Sequence, residues 1–166
     1  MRAVVVAIAG ALMAAGPASA RSADAIPHPR KLWATVNVCD TAAHPDTIGV
    51  RAQMPGTGHR GQRMYMRIQV EYLDAATNAW RPVGTQGDSF RFYVGAATHK
   101  LRQGGMSFAY NPPASGSTKL RANVTFEWRR GSRVVYQAQK YTEAGHADAA
   151  QADPPGFSAA ACEIRP

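Results

Sequence analysis

The sequence contains no Cys-x-x-Cys pair, no two histidines within four positions of one another, no basic run longer than two residues and no complete Gly-x-Ser-x-Gly elbow. Thiol exchange favours closely spaced cysteines, and a local zinc edge needs ligands that share one element. A nucleic-acid footprint needs clustered cations, and the hydrolase elbow needs a closing glycine at a strand-to-helix turn. The nearest match, Gly105-Met106-Ser107-Phe108-Ala109, ends in alanine inside a stretch that alternates like a strand. Ser107 therefore reads as a solvent-facing strand residue. His28, His44, His59, His99 and His146 all fall in predicted loops, and His146 and Asp148 form a close histidine–carboxylate combination. No third or fourth metal ligand accompanies them. The residues nominate no cofactor, metal or catalytic group.

Charge of one sign is scarce. The net charge is +8, and without Arg2 the chain keeps 18 basic against 11 acidic side chains, or +7. Arginines outnumber lysines 15 to 4 and alanine is abundant, a combination expected of GC-rich coding. The cations are scattered rather than tracked along one segment, so no nucleic-acid partner is expected.

At the N-terminus, Arg2 precedes an apolar run over residues 3–15, and Ala18-Ser19-Ala20 supplies small residues ahead of a cleavage site. Residues 1–20 read as a signal peptide, too short in its apolar part to span a bilayer. No later segment is apolar enough to span. Residues 21–30, with Pro27 and Pro29, read as a flexible leader, and residues 31–166 as one domain. Cys39 and Cys162 are an even pair in an exported chain, most simply a disulfide closing nearly the whole domain.

The dominant pattern is alternation with period two. In residues 62–74, Met64, Met66, Ile68, Val70 and Tyr72 share one parity, while Arg67, Gln69 and Glu71 share the other. Leu120, Ala122, Val124, Phe126 and Trp128 repeat the pattern against Arg121, Asn123, Thr125, Glu127 and Arg129. Such segments predict strands wet on one face. Shorter alternating stretches over residues 31–39, 47–54, 90–94 and 106–110 place Leu32, Val36, Val50, Phe90, Met106 and Phe108 among the inward positions. His44-Pro45-Asp46 reads as a turn, and Gly131-Ser132 as the tip of a hairpin. Residues 143–156 read as a polar connection, and residues 158–164 as a return of Cys162 to the first strand. Many short strands, with turn residues between them and no long helix, indicate a two-sheet sandwich.

Three kinds of surface chemistry remain. Glu71 and Glu127 have Arg67, Arg121 and Arg129 as neighbours of matching parity, so cross-strand ion pairs are expected there rather than acid catalysis. Trp33, Tyr65 and Tyr93 lie on the parity opposite the core and, with Arg67, form a candidate binding surface. His59, His99 and His146 are the loop groups from which an enzymatic site would have to be assembled.

Leu32-Trp33-Ala34-Thr35-Val36-Asn37-Val38-Cys39-Asp40, Met64-Tyr65-Met66-Arg67, Thr142-Glu143-Ala144-Gly145-His146 and Ala152-Asp153-Pro154-Pro155-Gly156-Phe157-Ser158 give the chain a resemblance over nearly its whole mature length. It resembles small exported immunoglobulin-like proteins of GC-rich bacteria that have no assigned activity. The resemblance implies an all-β, immunoglobulin-like antiparallel β-sandwich of about seven to nine strands. The expected function is that of a secreted, non-catalytic module, extracellular or in the cell envelope, binding a protein or envelope component. The alternatives are a hydrolase or metal-dependent enzyme built on loop histidines, and a purely structural envelope component.

Overall fold

A computed structural model describes residue 26 and residues 28–166. The signal-peptide reading of residues 1–20 lies outside the described residues. Among the described residues, nine strands form two antiparallel sheets, as the alternation demands. The smaller sheet has the order β1 (Trp33–Thr41), β2 (His44–Pro55), β6 (Leu101–Ala109). In the larger sheet, β3 (Arg63–Asp74) and β7 (Thr118–Arg130) pair at the centre. The outer edge of β3 carries β4 (Ala79–Pro82) and β5 (Phe92–Ala96), and the outer edge of β7 carries β8 (Arg133–Tyr141) and β9 (Cys162–Ile164).

The core lies between the sheets. Met64, Met66, Ile68 and Val70 of β3 join Ala122, Val124, Phe126 and Trp128 of β7, all at most 1% exposed. Ala34 and Val36 of β1 and Ile48, Val50, Ala52 and Met54 of β2 face them with the same degree of burial. The Trp128 indole N–H donates to the Pro55 carbonyl at 2.9 Å, which satisfies the one polar group of the largest core ring and ties the two sheets together. On β6, the buried Gly104 lets the sheets close at their corner: a Cβ there would lie 2.7 Å from Val94 Cγ1 and 3.1 Å from Met66 Sδ. The β7–β8 hairpin turns through Gly131-Ser132 between the paired Arg130 and Arg133, and Gly131 takes the φ of 58° that such a turn favours.

Cys39 and Cys162 form the expected disulfide, with Cα atoms 5.3 Å apart. β9 does not return to the first strand by pairing with it. It hydrogen-bonds to β7 in the other sheet, so the disulfide is a link between sheets.

Several local expectations are corrected. Ile26 is 2% exposed within the core cluster, and Pro29–Lys31 forms a 3-10 turn, so the packed domain starts ahead of residue 31. His44, Pro45 and Asp46 belong to β2, and the turn is Ala42-Ala43, between the paired Thr41 and His44. Proline is tolerated there because β2 is paired with β6 only from Thr47 onward. Met106, on the edge strand β6, is 41% exposed, since the larger sheet does not reach over it. Phe90 is 64% exposed: a left-handed residue with φ 52° just before β5, it breaks the parity that Phe92 and Val94 keep.

The disulfide spans a sequence separation of 123 residues, and chain-entropy models assign such a loop about 4–5 kcal/mol. Replacing both cysteines by alanine is expected to lower unfolding stability by about 3–5 kcal/mol, read as a fall in urea midpoint at constant slope. A reductant is expected to reproduce the loss in the wild type and to leave the double variant unchanged.

Candidate functional site

A two-sheet sandwich has two outer faces, and this chain treats them differently. Residues 143–160 cross the smaller sheet. At the free edge of β1, Val36 and Ala159 exchange backbone hydrogen bonds at 2.9 and 3.0 Å, and the Asp153 N–H reaches the Asn37 carbonyl at 2.8 Å. The Asn37 amide donates to the carbonyls of Ala150 and Gln151, and the hydroxyls of Thr35 and Ser158 lie 2.7 Å apart. Further across the sheet, Gln103 on β6 donates to the Asp148 carbonyl and accepts from the Ala150 N–H. Arg51 on β2 donates to the Gln151 side chain.

This cover corrects the reading of Trp33. Its parity is indeed away from the core, but it is 5% exposed, with the His146 ring stacked on it at 4.5 Å and 11°. Trp33 belongs to a second, smaller packed layer and contributes nothing to an exposed platform. Thr35, Asn37 and Gln53 are buried on the same side, so β1 has no wet face from Trp33 to Val38. The uncovered remainder of this face holds a hollow of about 420 Å³ beside Arg51, Ser107 and Gln151.

The outer face of the larger sheet is open. Its register sets polar side chains in rows across β3, β7 and β8: Tyr65, Glu127 and Gln137; Arg67, Thr125 and Gln139; Gln69, Asn123 and Tyr141. Arg67, Gln69, Thr125, Glu127, Gln137 and Gln139 line a cleft of about 410 Å³ over Met66, rimmed by Phe90 and Arg91. Tyr93 on β5 pairs with Tyr65, their rings 5.5 Å apart and tilted by 57°. Of the proposed surface residues, Tyr65, Arg67 and Tyr93 are therefore brought together, and Trp33 lies in the other sheet.

The electrostatics of the cleft depend on groups that alternation alone did not nominate. Arg67 pairs with Asp88 rather than with Glu71. Its Nε–H donates to both carboxylate oxygens, at 2.9 and 3.1 Å, and the carboxylate also accepts from the Phe90 N–H at 2.8 Å. Glu127 accepts from Arg129 at 2.7 Å and lies 3.8 Å from Arg91, whose guanidinium sits 5.4 Å over the Tyr65 ring. Beyond the cleft, Glu71 and Arg121 make the expected cross-strand pair at 2.8 Å. Arg121 is also stacked between Trp80 and Tyr141, 4.3 and 4.0 Å from their centroids. Gln137 and Gln139 were legible in principle, since they flank the inward Ala138 opposite Glu127 and Thr125. Asp88, Phe90 and Arg91 sit in a loop and at its edge, where no periodicity operates.

His146 is taken up by Trp33 and by Glu143 at 3.2 Å. His99 packs against Gly58, where a Cβ would meet its ring at 2.3 Å. Among the described residues, no three histidine, cysteine or carboxylate groups are placed to hold a metal. No family model and no curated protein sequence matches the chain.

Two outcomes follow from these contacts. Trp33→Ala is expected to lower stability by about 3–5 kcal/mol. It is also expected to open residues 143–158 to limited proteolysis under conditions in which the wild-type segment is protected. The second concerns pH. The Arg67 hydrogen bonds, with the Phe90 amide in support, hold the Asp88 carboxyl below its usual value. Its stabilising contribution is complete above the unfolded value of about 3.9 and disappears as pH falls through the lower native value. In urea denaturation across pH, the stability gap between wild type and Asp88→Asn is expected at neutrality and to close under acid conditions. A gap that persists there assigns the loss to packing instead.

Proposed function

We propose that the protein is a secreted, non-catalytic binding module that holds a protein or cell-envelope partner on the outer face of its larger sheet. The observation that carries this reading is the asymmetry of the two faces. The chain spends residues 143–160 on covering one of them, even burying an outward tryptophan. The other is left bare around a cleft bordered by Phe90, 64% exposed, with Tyr93, 55% exposed, on the neighbouring β5. Large exposed rings beside a concave array of donors and acceptors are the usual makings of a recognition surface. The side chains there are held in place from below, by the β3–β7–β8 register and by the Arg67–Asp88 and Glu127–Arg129 pairs, so little ordering is needed on binding.

An exported setting is part of the same proposal. A disulfide suits an oxidising compartment, and residues 1–20 have the pattern of a signal peptide. Among the described residues, no helix is long and apolar enough to cross a membrane.

Immobilised protein incubated with a cell-envelope fraction is expected to retain a saturable partner. Tyr65→Ala and Arg67→Ala are expected to lose it by tenfold or more while keeping cooperative thermal unfolding. Capture that survives both substitutions, or no saturable capture at all, refutes the reading.

A further inference from the structure

We infer that the ligand of this face is an acidic polysaccharide of the uronate type; this rests on the binding-module reading above and names its ligand class. Three independent features of the face around the cleft converge on that chemistry.

The first is a surplus of positive charge at one end of the β3–β7 ladder. Arg63 stands directly opposite Arg129 in the β3–β7 ladder, an arrangement of like charges that ordinarily destabilises a sheet. Glu127 is shared by Arg129 and Arg91, and Asp88 is matched to Arg67. Arg63 has no carboxylate partner among the described residues and leans over the Tyr93 ring at 6.0 Å. An external carboxylate relieves this surplus.

The second is the character of the opposite wall. On the β8 side, Gln137 and Gln139 present neutral amides. Neutral amides suit hydroxyl groups. The third is the pair of tilted tyrosines. Tyr93 offers an exposed ring against which the C–H face of a sugar can lie.

A pyranuronate unit carries a carboxylate on one edge, hydroxyls around the rest and apolar C–H faces. The face has guanidiniums from Arg63 and Arg67 on β3 and from Arg91 just ahead of β5, amides along β8 and an aromatic flank. Because the rows run across strands spaced by about 4.8 Å, successive groups meet successive parts of an extended chain. A nucleic-acid backbone fits less well. Its phosphates call for cations throughout a groove, whereas the far wall here is uncharged and the floor holds Glu127.

Affinity electrophoresis in gels containing polygalacturonate, dextran or poly(dT) tests the assignment. Polygalacturonate is expected to retard the wild type, and dextran is not. Tyr93→Ala, which changes no charge, is expected to weaken retardation about two- to tenfold, Gln137→Ala by about the same, and Arg91→Ala by about tenfold or more. Arg165→Ala removes one positive charge at the far end of β9 and is expected to change it less than about twofold. The inference is overturned if polygalacturonate does not retard the protein, or if Tyr93→Ala and Gln137→Ala leave retardation unchanged, which would mean general attraction to a polyanion. It is equally overturned if dextran or poly(dT) binds as tightly. Should envelope capture still be abolished by Tyr65→Ala while polygalacturonate neither binds nor competes, the ligand class is wrong and the binding reading stands. Loss of both results removes both.

Discussion

Everything in this molecule depends on the register between β3 and β7. Ten consecutive positions pair directly, from Arg63 with Arg129 to Tyr72 with Leu120. The inward pairs Met64–Trp128, Met66–Phe126, Ile68–Val124 and Val70–Ala122 are all buried, and the outward pairs Tyr65–Glu127, Arg67–Thr125, Gln69–Asn123 and Glu71–Arg121 carry the polar groups. A slip of one residue would invert both sets together. The burial that makes the core is thus also what aims the cleft. Apart from Phe90 and Arg91 at the rim, its lining stands on strands whose other face is locked in apolar contact.

The second constraint is how the ends of the chain are used. β1 is an edge strand, and an uncovered edge invites pairing with other chains. Here the C-terminal segment supplies backbone partners along that edge and then, through Cys162, is bonded back to β1 at Cys39. The same segment roofs the smaller sheet, so edge protection and face covering are one device. The disulfide links strands of different sheets and so closes the side of the sandwich where the chain ends. The outer face of the larger sheet has no such roof, and Phe90, Tyr93 and Arg63 are exposed there.

What could be read in the residues divides along the range of the interactions. Period-two alternation is local, so the strands, the inward faces of β3 and β7, the Gly131-Ser132 hairpin and the all-β sandwich were all legible. The disulfide followed from there being only two cysteines. The cover over Trp33 was not legible, because alternation says which side a residue faces and nothing about whether a segment more than a hundred residues later lies on it. Arg67 was paired in prospect with the carboxylate nearest along its own strand, yet Asp88 from the loop after β4 reaches it first. Arg121 met its expected partner Glu71, while its two aromatic neighbours came from β4 and β8, elements whose relation is set only by the finished sheet. Met106 and Phe90 failed for a third reason: parity describes a strand's direction, and neither an edge position nor a left-handed residue respects it.

Phe90 links these points. A bulky residue at φ 52° occupies a region that ordinarily costs on the order of 1–2 kcal/mol, and such outliers persist only when their surroundings over-determine them. The determinants are visible. The Ile68 N–H of β3 donates to the Ser89 hydroxyl at 2.8 Å, that hydroxyl donates to the Phe90 carbonyl at 2.8 Å, and the Phe90 N–H donates to Asp88, which Arg67 holds. The loop is therefore hydrogen-bonded to the outer edge of β3 at the same residues that line the cleft. Packing gives no reason for this, since the ring it displays is mostly in solvent. A network that compensates for unfavourable backbone in order to present an apolar ring at the rim of a polar cleft is hard to explain as stabilisation, and it is what a surface shaped for contact requires.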